Sequence, residues 1–249
     1  MANEQMAKAR KRKSSKNKQT SAKRRGPIRL GFRWLLRAVL GIACIATVLT
    51  LVYGVLNPPT TPYMFAEARR QGGVDYEWVD MDLISPVMAR SAVAAEDANF
   101  CIHWGLDVNA IQAALDAGGN RGASTISQQV VKNIYLWHGR SWVRKSLEAF
   151  WTPLTELLWS KRRILELYLN IAEFDRGVFG IQAASRHYFD RDAADLTARQ
   201  AARLAAVLPN PKNRSASRPD DYTRRRAASI YDGAATIAAD GRADCFESQ

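Results

Sequence analysis

The longest apolar stretch of the chain runs from Ala38 to Leu56, 19 residues without a charge. As a helix rising roughly 1.5 Å per residue it would be about 28 Å long, close to the thickness of a bilayer's hydrocarbon core. It is long for a cleaved leader, and the following Asn57-Pro58-Pro59-Thr60-Thr61-Pro62 holds no small-x-small cleavage pattern. A retained anchor over 38–56 is therefore expected, with a proline-stiffened linker over 57–79 that lifts the remaining chain off the membrane. Beyond it, helical signals dominate. Ser85 and Pro86 offer an N-cap and a first-turn proline for a helix through Ala98, and Asp107 can cap a second that stops at Gly118-Gly119. Ser141 and Ser160 read as further caps. Trp142 to Trp159 is apolar at helical spacing but contains Pro153, which predicts a kink or break near Trp151. Thr197 and Gln200 form a capping-box pattern for a helix ending before Pro209. Ala183, Ala184, Tyr188 and Phe189 fall on a tightly packing core helix. No sustained alternation argues for a large sheet, so residues 80–249 read as one mostly α domain.

Charge changes the picture only at one end. Residues 1–37 hold 13 Lys or Arg and a single acid, Glu4, which accounts for the whole formal charge of +12 and leaves 23 basic against 23 acidic residues beyond. A basic arm with nothing to bury is not a folded nucleic-acid surface, so nucleic acid is excluded as the expected partner. The same asymmetry orients the anchor, with the arm cytoplasmic and the C-terminal body outside. Cysteine settles less. Cys44 lies in the span, while Cys101 and Cys245 would face an oxidising space as either a disulfide or two lone thiols. No CxxC or His/Cys ligand spacing suggests a structural metal.

The candidate chemistry sits in polar clusters set in apolar sequence. Glu96 follows Val93, Ala94 and Ala95, and a carboxyl emerging from apolar surroundings is a better base at neutral pH. Phe100 and His103 share its face if the helix lasts that long. Gly122, Ala123, Ser124 and Thr125 look like a glycine turn feeding a helix that carries Gln128, Gln129, Lys132 and Asn133. Such a helix start favours anions, and amides suit sugar hydroxyls, although an ordinary Gly-Ser turn would look the same. Arg144 and Lys145 stand four and three residues before Glu148, the spacing of a plain surface ion pair or of two cations turned toward a diphosphate. Glu166 and Asn170 lie one turn apart in apolar sequence and read as a structural pair satisfied by Arg162 or by backbone. Arg224, Arg225 and Arg226 read as a solvated face.

Together these segments resemble the peptidoglycan glycosyltransferases of glycosyltransferase family 51, and among them the monofunctional biosynthetic transglycosylases. Glu96-Asp97 with Phe100, His103 and Gly105 is similar to the first family motif, Gly122 to Asn133 to the second, and Arg144-Lys145 with Glu148 to the third. Ile164 to Asn170 and Ala183 to Phe189 are similar to the fourth and fifth. The resemblance implies a lysozyme-like helical domain with a small jaw subdomain near the membrane, preceded by one transmembrane helix. It implies polymerisation of lipid II into a growing glycan strand at the outer face of a bacterial inner membrane, with other cell-wall synthesis or division proteins as further partners. By position, Glu96 would be the general base, Asp97 its support and Glu148 the second acid. Lys132, Arg144 and Lys145 would hold the pyrophosphate, and Ser124, Thr125, Gln128, Gln129 and Asn133 would line the sugar site. The resemblance implies no certain cofactor, although a divalent cation could assist the pyrophosphate. A membrane-anchored lytic transglycosylase or lysozyme-like hydrolase shares the catalytic Glu but has no need of the cations, and a non-catalytic cell-wall scaffold leaves the motifs unexplained. Three positions depart from the family pattern: Ala123 stands for a common Gly, Asp175 for a Gly in a turn it could enter left-handed, and Pro153 interrupts a helix.

Overall fold

The computed structural model describes residues 27–118, 122, 124–139 and 141–247. The basic arm up to residue 26 and Ala123 lie outside the described residues. The chain divides into two compact units, the first ending at Ala46 and the second starting at Thr47.

Helix α1 (Pro27–Val55) contains the predicted apolar run, and its segment Leu30–Val55 is long and apolar enough to cross a membrane. Its last turns, within the second unit, are held by hydrogen bonds. The indole N–H groups of Trp151 and Trp159 donate to the hydroxyl and the carbonyl of Thr50 at 2.9 and 2.6 Å, and Arg163 donates to the carbonyls of Tyr53 and Leu56. The expected linker contains a helix of its own, α2 (Pro62–Gln71), because Thr61 caps the N–H of Met64 and Pro62 is preset for the first turn.

The body is helical. It contains α3 (Pro86–Glu96), α4 (Val108–Asp116), α5 (Ile126–Tyr135), α6 (Trp142–Leu158), α7 (Lys161–Ile171), α8 (Ile181–Phe189), α9 (Ala198–Val207), α10 (Asp221–Ala239) and α11 (Asp244–Glu247). Helix α7 is the hub. Ile164, Leu165, Leu167, Tyr168, Leu169 and Ile171 are all buried, with α3, α5, α8 and α11 packed around them. On the far side α3, α9 and α10 pack through alanines, which lets their axes approach closely. A small sheet adds β1 (Asp75–Tyr76), β2 (Glu173–Asp175) and β3 (Val178–Phe179) in the order β1-β3-β2. Here β1 runs parallel to β3, with Tyr76 opposite Phe179, and β2 runs antiparallel to it across a bulge.

Several local expectations change. Ser85 does not cap α3; its hydroxyl donates to the carbonyl of Leu196, tying the helix start to the segment before α9. Helix α6 is continuous through Pro153. The hydroxyls of Thr152 and Thr155 donate to the carbonyls of Glu148 and Trp151, supplying donors on either side of the missing N–H. Glu166 is satisfied by Arg163 at 2.7 Å and by the backbone N–H of Met81, whereas Arg162 turns to Asp82 and the carbonyl of Phe246. Asn170 pairs with both the N–H and the C=O of Val79 at 2.9 Å, as a strand would. Asp175 is extended in β2; the left-handed turn falls at Gly177, with φ 72°. Cys101 and Cys245 form a disulfide.

Candidate active site

Glu96 is the last residue of α3, where the helix opens into the loop that carries Phe100, His103 and Gly105. The helix ends at Glu96, so Asp97 and His103 meet through a turn and not along a helical face. Asp97 is a clasp. One of its oxygens accepts from Nε2 of His103 at 2.8 Å, and the other from the N–H of Ile126, the first residue of α5, at 3.0 Å. His103 Nδ1 accepts from the N–H of Gly105, which fixes the neutral ring as the Nε2–H tautomer. Lys161 donates to the carbonyl of His103 and lies over the ring of Phe100. The loop is thereby pinned against both α5 and α7. Asp97, His103 and Asp107 offer ligand atoms within 4.8 Å of one another, but their acceptors are already engaged, those of Asp107 by the N–H of Ala110 and the amide of Asn99. The cluster serves the loop.

Gly105 is where this loop meets α6. Its φ of 78° suits glycine, and a Cβ there would lie 2.5 Å from the methyl of Thr152 and 2.9 Å from Cγ of Glu156. Thr152 is one turn beyond Glu148.

Glu96 and Glu148 are the two acids; α5 touches Glu96 through Gln129, and its Lys132 feels the charge of both. The Glu96 side chain is 12% exposed and accepts from the amide of Gln129 at 2.9 Å. Burial raises its pKa, against the opposing pull of the Gln129 hydrogen bond, Arg226 and Lys132. Glu148 is buried, and Arg144 at 2.5 Å and Lys145 close on its two oxygens. Lys132 feels both acids and both of the other cations; burial lowers its pKa. Among the described residues no hydrogen bond or ion pair claims its ammonium. Lys145 also donates to the hydroxyl of Ser124 at 3.2 Å, so the polar turn before α5 faces the cation cluster.

Thr125 and Gln128 sit elsewhere. They form a capping box at the start of α5, each about 2% exposed, and the Thr125 hydroxyl donates to the carbonyl of Gly105. Their polar groups are spent on holding the helix start against the Gly105 loop. Gln129, Lys132 and Asn133 line a cavity of about 340 Å³ that neither acid lines. Its other wall is Tyr63, His138, Tyr168, Glu173 and Lys212. His138 stacks on Tyr63 at 3.6 Å and faces the Asn133 amide at 3.1 Å; burial and the surrounding cations push its pKa down to about 4, so the ring is neutral at pH 7. Lys212 is tied to the buried Glu67 of α2 at 2.7 Å. Tyr63, His138 and Lys212 carry no motif signal in the sequence, and their convergence is purely tertiary. Arg226 is the remaining surprise. It does not join a solvated face but turns inward to Glu96, while Arg224 pairs with Asp221 at the surface.

A buried carboxylate, an opposed acid and three cations on a helical scaffold define a site suited to glycosyl transfer from an anionic leaving group. Residues 65–234 match the Transglycosylase family. The chain is 61% identical to the biosynthetic peptidoglycan transglycosylase of Jannaschia sp. (strain CCS1) over 86% of its own length and 90% of the relative's. It is 51% identical to that of Pseudomonas putida (strain GB-1) over 80% and 88%, and 46% identical to that of Rhodospirillum centenum over 86% and 95%. The chain belongs to the transglycosylase family.

Proposed function

We propose that this peptidoglycan transglycosylase polymerises lipid II into β-1,4-linked glycan with inversion at the donor sugar. The observation that carries the reading is Lys132, a cation without a protein partner among the described residues, set between a buried carboxylate and an acid already paired with two further cations. Glu96 takes the proton from the C4 hydroxyl of the acceptor sugar as that oxygen attacks the anomeric carbon of the donor. The bond to the lipid pyrophosphate breaks on the opposite face, and the diphosphate departs with its charge met by Lys132, Arg144 and Lys145. No acid is needed to protonate it. Glu148 holds Arg144 and Lys145 in place, Asp97 holds the Glu96 loop, and Ser124, Gln129 and Asn133 present polar groups to the sugars. A divalent cation, were one to accompany the diphosphate, would add to the charge neutralisation that Lys132, Arg144 and Lys145 supply. Helix α1 anchors the enzyme in the inner membrane with the basic arm cytoplasmic and the catalytic body periplasmic. A lytic transglycosylase would have no use for the cations.

The test is incubation of the detergent-solubilised protein with labelled lipid II. Lysozyme-sensitive polymer is expected from the wild type and none from Glu96→Gln, which should still bind the lipid. A loss of about 10²- to 10⁴-fold is the usual worth of a general base. Activity of Glu96→Gln within tenfold of wild type would remove Glu96 from the role, and cleavage of preformed glycan in place of polymerisation would favour the lytic enzyme.

A further inference from the structure

Two buried polar atoms in neighbouring side chains have no hydrogen-bond partner: Oε1 of Glu96 and Nε of Arg226. Nη2 of Arg226 stands 3.7 Å from that Glu96 oxygen and donates to the carbonyl of Ala95 at 3.0 Å. The guanidinium is thus tied to the backbone one residue before the base and cannot swing away without losing that bond. Its approach is built into the packing. Arg226 lies in the second turn of α10, which hugs α3 closely enough that a Cβ on Gly233 would lie 3.3 Å from the methyl of Ala94. Ala227 and Ile230 are buried beside it, and the Arg226 side chain is only 28% exposed.

We propose that Arg226 is the positioning residue for Glu96, holding the carboxylate against the end of α3 and giving it a fixed positive partner outside the diphosphate's reach. The inference rests on the assignment of Glu96 as base. Around that carboxyl, α5 contributes the Gln129 amide and the Lys132 ammonium, α7 the phenol of Tyr168, the adjoining loop Asp97, and α10 Arg226. Lys132 belongs to the cation cluster, so a bound diphosphate offsets its field at Glu96. Helix α10 contributes no residue to that cluster, and the Arg226 charge stays available to Glu96 when substrate is bound.

The experiment is the pH profile of kcat/KM for lipid II polymerisation by the full-length protein, comparing wild type, Arg226→Gln, Arg226→Lys, Arg225→Ala and Glu96→Gln, with a thermal melt of each. Removing the cation leaves burial less opposed, so the carboxyl holds its proton to higher pH. The acidic limb of Arg226→Gln should therefore move up by about one pH unit, which is about tenfold in activity on that limb and is recovered under alkaline conditions. Arg226→Lys should restore the limb, and Arg225→Ala should leave it in place. If Gln restores the wild-type profile and Lys does not, Arg226 is a hydrogen-bonding staple and the proposal is overturned. An unmoved limb in both variants, with Glu96→Gln inactive, overturns it too. An active Glu96→Gln instead overturns the base assignment beneath it.

Discussion

At the scale of single residues the site works against its own stability. Glu96 and Lys132 are each buried in a way that disfavours their charged forms, so both cost folding energy to keep ionised. For Lys132 the sign follows from its lowered pKa: the folded state disfavours the ammonium, and the cost is present at every pH below that folded value. Lys132→Met should therefore raise the melting temperature at pH 7, by roughly 2–4 °C for each kcal/mol relieved, while polymerisation falls by about 10²-fold or more. A thermal melt beside the lipid II assay checks both halves. Residue identity shows where charges are but not where they point. Of three consecutive arginines, Arg226 faces Glu96 and Arg224 the surface, because successive helix positions are rotated by about 100° and α10 packs on α3 through one face only. Arg163, not Arg162, satisfies Glu166, although both lie one turn before it, because Arg162 is drawn to Asp82 and the carbonyl of Phe246. Glu96, Glu148, Lys132, Arg144 and Lys145 are legible in the sequence because they fall in short motifs; Arg226, His138, Tyr63 and Lys212 are not, because they reach the site from separate segments.

At the scale of elements, what is local is legible. Asp107, Ser141, Ser160 and Thr197 all cap the helices the sequence assigns to them, since a cap needs only the next three residues. The same rule explains one change of role. Thr125 and Gln128 repeat the spacing of Thr197 and Gln200, and both pairs are reciprocal capping boxes, so the second motif's polar residues divide between those that build the helix start and those that face the cleft. Ser85 departs from its expected cap: its hydroxyl is turned to the Leu196 carbonyl, to which it donates, and accepts no N–H from the first turn. Asn170 shows how an apolar helix tolerates a buried amide. It stands in for a strand neighbour of Val79, and Asn170→Ala would leave a buried N–H and C=O unpaired. A destabilisation on the order of 3 kcal/mol is expected, read as a lowered melting temperature with the polymerisation pH profile unchanged.

At the scale of the whole molecule, the long apolar helix and the mostly helical body are legible from hydrophobic runs alone, but not the way the body closes on itself. The disulfide joins the Glu96 loop to a helix 144 residues further on, a pairing that no spacing rule selects. Cys245→Ser should lower stability by about 2–5 kcal/mol, and a reductant should have the same effect on the wild type and none on the variant. Helix α2, in what composition marks as linker, holds Lys212 through Glu67 and so makes the juxtamembrane segment part of the cavity wall. The contact of Gly105 with Thr152 has a consequence of its own. The loop that begins at Glu96 rests, through a residue with no side chain, on the helix that carries Glu148. An absent methyl group thus gauges how closely that loop approaches the helix, and the contact is shared by the site's own framework: Asp97 reaches Gly105 through His103, and the Thr152 hydroxyl donates to the Glu148 carbonyl.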